Sequence, residues 1–180
     1  GAGQLNIENS YRIIAAGEQD SLEDDVAQLG AIGMAGFDYN DSFVVPSGSN
    51  NIAQYTFTAS LNETLSAALV WNLTIDNTGS MTPTLRHLGL SLVDTTNNHE
   101  TVASSTSLVD NTQNLFWKDL VGGHQYQLQV SSLESGHLSG DYALAWQRSV
   151  SATPVPIPAA FWLFGSAIAT LTGWQRRKTV

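Results

Sequence analysis

The sequence predicts an all-β chain: an antiparallel β-sandwich, jelly-roll-like, with a short N-terminal helix and a C-terminal transmembrane helix. Three observations carry that expectation. From Asn51 to Trp146 apolar and polar residues alternate in short runs, the period-two pattern of strands buried on one face. Turn residues break these runs at the spacing of about eight to twelve residues seen in sandwiches. Between Arg148 and Arg176 there is no charged residue at all.

The elements follow in chain order. Ile7 to Ala16 reads as a helix, with Tyr11 and Ile14 three apart and Gly17 as its stop. Glu18 to Asp25 is an acidic loop, and Leu29 to Met34 is too rich in glycine to assign. Phe37 and Tyr39 begin the first strand. Further strands are expected at Ile52–Ala59, Leu65–Leu73, Leu88–Asp94, Thr101–Ser104, Gln113–Trp117, His124–Ser131 and Asp141–Trp146. Asn97-Asn98 and Gly122-Gly123 mark tight turns, and Asp76 to Ser80 a longer loop. The chain divides into 1–35 (helix and acidic loop), 36–148 (sandwich) and 149–180 (tail).

Composition narrows the function. Seven basic residues stand against 16 acidic ones, and three of the basic ones are Arg176, Arg177 and Lys178. Without those three the net charge is −12, which excludes nucleic acid as a partner and suits solubility or divalent cations. There is no cysteine, so neither a disulfide framework nor a thiol nucleophile is available.

The tail has three parts. Pro154, Pro156 and Pro158 each bar the α region for the residue before, so Thr153 to Pro158 is extended. Pro158 to Trp174 is 17 residues, about 26 Å as a helix and at the short end of what crosses a bilayer. Its apolar residues include Phe161, Trp162, Leu163, Phe164, Ile168 and Leu171, and Trp174 stands where an interfacial aromatic would sit. Arg176, Arg177 and Lys178 supply the positive-inside signal, placing the upstream domain outside the cytoplasm. A plain single-pass anchor and a helix buried on the core are the other readings of this run. An exported protein needs an apolar leader and none opens this sequence, so the chain is expected to be the C-terminal part of a longer precursor.

Val155-Pro156-Ile157-Pro158-Ala159-Ala160, the apolar run and the Arg-Arg-Lys end together resemble PEP-CTERM sorting signals of the VPLPA type. Ile157 stands where the commoner form has Glu. The resemblance implies recognition by an exosortase, transient residence in the inner membrane, and delivery to the cell surface or exterior of a Gram-negative bacterium.

The strand wording carries a second resemblance. Gln54–Thr58, Leu65–Asn72, Leu90–Asp94, Val102–Asn111 and Gly140–Trp146 are similar to a bacterial pre-peptidase C-terminal domain, a sandwich that follows the catalytic domain of many secreted subtilases. It implies a non-catalytic appendage that aids secretion, stability or contact with surfaces and polymers. Gly1 to Asn6, leading into the helix, is similar to the last helical segment of a subtilase catalytic domain, which would make the upstream parent a serine peptidase or a dead relative of one.

Candidate chemistry inside the chain is sparse. His87, His99, His124 and His137 show no metal-ligand spacing and read as surface or turn residues. No serine lies in a Gly-x-Ser-x-Gly elbow, so this chain is not expected to be an enzyme. No cofactor is expected apart from calcium, for which Asp38, Asn40 and Asp41 could supply oxygens, as could Glu23, Asp24 and Asp25. Trp71, Trp117 and Trp146 suit a core first and a sugar-stacking face second, the latter fitting a partner such as exopolysaccharide.

Overall fold

Alternation along the strands folds this chain into two sheets packed face to face. The structure, a computed structural model, describes residues 6–23, 30–45, 52–75, 79, 81–134 and 138–150. The sorting motif, the apolar run to Trp174 and the basic end lie outside those residues, as do Asp24, Asp25 and His137. Helix α1 (Ile7–Ala16) precedes strands β1 (Ala35–Val45), β2 (Ile52–Thr58), β3 (Glu63–Val70), β4 (Thr74–Ile75) and β5 (Pro83–Thr84). After them come β6 (Leu88–Asp94), β7 (Glu100–Ser105), β8 (Thr112–Trp117), β9 (Gln125–Ser132) and β10 (Leu138–Val150).

One sheet has the order β1-β10-β3-β8 and the other β2-β9-β6-β7, with β4-β5 a separate small hairpin. Every ladder within them is antiparallel. With the hairpin set aside, this order is that of a jelly roll, in which every pair of successive strands but β6 and β7 lies in opposite sheets. The inward residues alternate as expected: Ala53, Tyr55 and Phe57 on β2, and Leu65, Ala67 and Leu69 on β3. Leu90, Leu92, Leu128 and Leu144 close the core from the other strands. Each such side chain contributes about 1.5–3 kcal/mol by leaving water.

Two rows on the outer face of the second sheet carry only uncharged side chains. Its register sets Gln54 beside Gln129, Ser91 and Ser104 in one row, and Thr56 beside Gln127, Val93 and Thr101 in the next.

Several boundaries differ from the sequence reading. The described part of residues 1–35 pairs with the sandwich. Gln19 N–H donates to Phe37 O (2.9 Å), Leu22 N–H to Gln54 O (3.0 Å) and Ile32 N–H to Thr56 O (2.9 Å). These bonds cover the free edges of β1 and β2, which would otherwise invite pairing with another chain. At the other end β10 runs to Val150, two residues into the predicted tail. β3 stops at Val70, and Trp71 turns into the core with Nε1–H donating to Arg86 O (2.7 Å). The β4-β5 hairpin, two residues per strand, gave no periodicity to read.

Helix α1 forms where predicted. Asn6 caps it by accepting from Asn9 N–H (3.0 Å), and Gly17, at φ 82°, ends it with its N–H on Ile14 O (3.1 Å). The apolar pair at helical spacing does not reach the core, since Tyr11 and Ile14 are each 70% exposed. The side toward the sheet carries Asn9, which accepts from Gln147 Nε2 (3.1 Å). Among the described residues no helix is long and apolar enough to cross a membrane.

Candidate cation site

The covering of β1 by Gly17–Gln19 has a chemical consequence. Glu18 bridges to Phe37 in parallel, which brings the acidic loop beside Asp38. The carboxylates of Glu18, Asp20 and Asp38 all lie within 4.8 Å of one another. Calcium–oxygen bonds of about 2.4 Å place ligands on opposite sides of the ion about 4.8 Å apart, so the spacing fits a hard cation. Asp38 is 1% exposed, and it points inward from β1. Its Oδ2 accepts from Tyr55 O–H at 2.5 Å, and Tyr55 O–H is in turn 2.6 Å from Tyr142 O–H. Burial pushes the Tyr55 phenol well above its ordinary value, with Tyr142 and Asp38 adding to the shift. The Ser21 hydroxyl, next in sequence to Asp20, is fully buried and has no hydrogen-bond partner among the described residues.

The other oxygens proposed from sequence go elsewhere. Asn40 is buried on β1 and its Oδ1 accepts from Ser42 N–H (3.0 Å), bracing the register shift between Asn40 and Phe43. Asp41 is exposed and stands apart from the Glu18–Asp20–Asp38 group. Glu23 Oε2 accepts from Gln54 N–H (2.8 Å) and so holds the N-terminal segment to β2. The part missed in sequence is Glu18 and Asp20. Their only signal was an acidic loop, and the strand they would meet lay about twenty residues away.

Remaining polar clusters serve the architecture. Arg148 Nε donates to Glu63 Oε1 (2.5 Å), its Nη2 donates to Thr58 O (2.8 Å), and its guanidinium lies 4.2 Å from the Phe57 ring centroid. Gln113 is buried and satisfied: Nε2 donates to Leu88 O (3.0 Å) and Oε1 accepts from Ser105 O–H (2.7 Å). Arg86 pairs with Asp141 (3.3 Å), which also accepts from Asn72 Nδ2. Gly140 is bare of a side chain because the Arg86 guanidinium fills the place a Cβ would take.

Two histidines are less isolated than the sequence implied. His87 Nδ1 lies 2.6 Å from Glu134, and His124 Nδ1 lies 2.7 Å from Asp94. Among the described residues neither ring meets a hydroxyl, so neither forms a nucleophilic relay of the serine type. Burial raises the Asp94 carboxyl, but bonds from His124 and from the Asn97 and Thr96 amides outweigh it and hold the group below its usual range. Trp71 and Trp146 are 2% and 1% exposed, which places both in the core and away from any sugar-stacking face. Trp117 is half-buried.

No family model and no curated protein matches the chain. Among solved structures it is similar to PliG, a periplasmic inhibitor of g-type lysozyme from Aeromonas hydrophila. That likeness has 10% identity and a TM-score of 0.41, over 66% of this chain and 94% of that one. It is also similar to the pre-peptidase C-terminal domain of a collagenase from Bacillus anthracis. There the identity is 14% and the TM-score 0.43, over 65% of this chain and 92% of that one.

Proposed function

We propose that this chain is a non-catalytic, exported β-sandwich, the accessory region of a surface or secreted protein. Residues 155–178 act as its exosortase-read sorting signal. The observation that carries this reading is the tail's three-part order behind a strongly acidic, cysteine-free sandwich. In it Val155 to Ala160 is the recognition strip, Phe161 to Trp174 the transient membrane helix and Arg176 to Lys178 the stop. The non-catalytic half is supported by the use of the buried polar groups. Glu63, Arg148, Gln113 and Asp94 are bonded to backbone or to one another.

Calcium is the proposed ligand of Glu18, Asp20 and Asp38. A divalent ion there would offset two of the three crowded negative charges and tie the N-terminal segment to β1.

Mass spectrometry of the exported protein tests the sorting step. No peptide beyond the proline strip is expected on the mature surface protein. Recovery of peptides ending at Val180 from that material would sink the reading.

A further inference from the structure

We propose that the outer face of the β2-β9-β6-β7 sheet carries a binding groove for a neutral polysaccharide. This rests on the reading of the chain as an exported domain that meets extracellular polymer.

A groove of about 530 Å³ crosses that face. Thr56, Thr58, Gln125 and Gln127 form its floor, with Ala31 and Ile32 on one side and Thr95 and His99 on the other. The volume is in the range of small-ligand sites. The lining bears no formal charge with His99 neutral, on a chain of net charge −9. Threonine hydroxyls and glutamine amides each donate and accept, as the hydroxyl pairs of a sugar require. The surrounding negative charge repels anionic polymers and leaves neutral ones unaffected.

The turn at the groove wall adds an independent observation. Glu100 N–H donates to Asn97 O (3.0 Å), and Asn98 and His99 have φ of 53° and 55°. Positive φ at both central positions is the type I′ hairpin turn, whose second position favours glycine. Histidine there costs on the order of 1–2 kcal/mol. Fold stability does not explain its presence, whereas an exposed imidazole at the groove wall offers a ring and a hydrogen-bonding nitrogen to a sugar.

The test is a ¹⁵N-NMR titration of the full chain in a zwitterionic detergent without a sugar headgroup. The probes are neutral hexasaccharides (β-1,4-glucan, α-1,4-glucan and β-1,4-mannan) and an anionic oligogalacturonate. Millimolar neutral sugar is expected to shift the amides of Thr56, Thr58, Thr95, His99, Gln125 and Gln127, and the anionic probe is not. His99→Gly is expected to raise the melting temperature while weakening binding by about tenfold, the loss of one or two hydrogen bonds. Gln127→Ala is expected to weaken binding without raising stability. The proposal is overturned if no neutral probe shifts these amides, if oligogalacturonate does so more strongly, or if His99→Gly binds as the wild type does. Peptides recovered in the export experiment do not bear on this titration, so the two readings fail separately.

Discussion

Arg148 shows how one residue can set a boundary. It is the last charged side chain before the apolar tail, and its guanidinium is buried among Glu63, Thr58 O and the Phe57 ring. Its backbone N–H donates to Met34 O (2.6 Å), which ties the end of β10 to the entry of β1. Truncating one partner of a buried pair leaves the other charge without compensation. Arg148→Ala is therefore expected to cost about 3–5 kcal/mol in urea unfolding. A loss under about 1 kcal/mol, the scale of an exposed pair, would show that Glu63 finds water instead.

At the scale of elements, the informative piece is the segment from α1 to β1. It adds little to the core, since α1 contributes no buried residue, yet it covers two strand edges. Glu18, Asp20 and Asp38 crowd together where it pairs with β1, so a cation bound there should stabilise the folded chain by mass action. Calcium at about a hundred times its dissociation constant would add about 2.7 kcal/mol, seen as a rise in melting temperature that a chelator reverses. Asp20→Asn should abolish that rise. A calcium response equal in wild type and variant would place the ion elsewhere.

For the whole molecule, buried titratable groups bound the pH range. Asp94 is held below its usual value in the fold, against about 3.9 when unfolded. Its contribution is present above the unfolded value and is lost as pH falls through the folded one. Tyr55 is raised well above about 10, so its contribution is present below that pH and is lost as pH rises further. Melting temperature against pH should therefore fall on both sides. The gap between wild type and Asp94→Asn should narrow below about pH 4, and a gap that widens there would contradict the assigned direction.

Most of the strands, the helix with its glycine stop and the order of residues in the tail were legible in the sequence. Alternation, capping and a charge-free run are local properties, written in neighbouring residues. Leu88–Asp94 and Ile7–Ala16 were legible to the residue because nothing distant was needed to read them. Tertiary structure alone decided the sites. Glu18 and Asp20 meet Asp38 only because Gly17–Gln19 pairs with β1, and Thr56 and Gln127 share a groove floor only because β2 pairs with β9. It also left Tyr11 and Ile14 outside, since apolar spacing marks a stripe on a helix but the neighbouring elements decide whether that stripe meets the core.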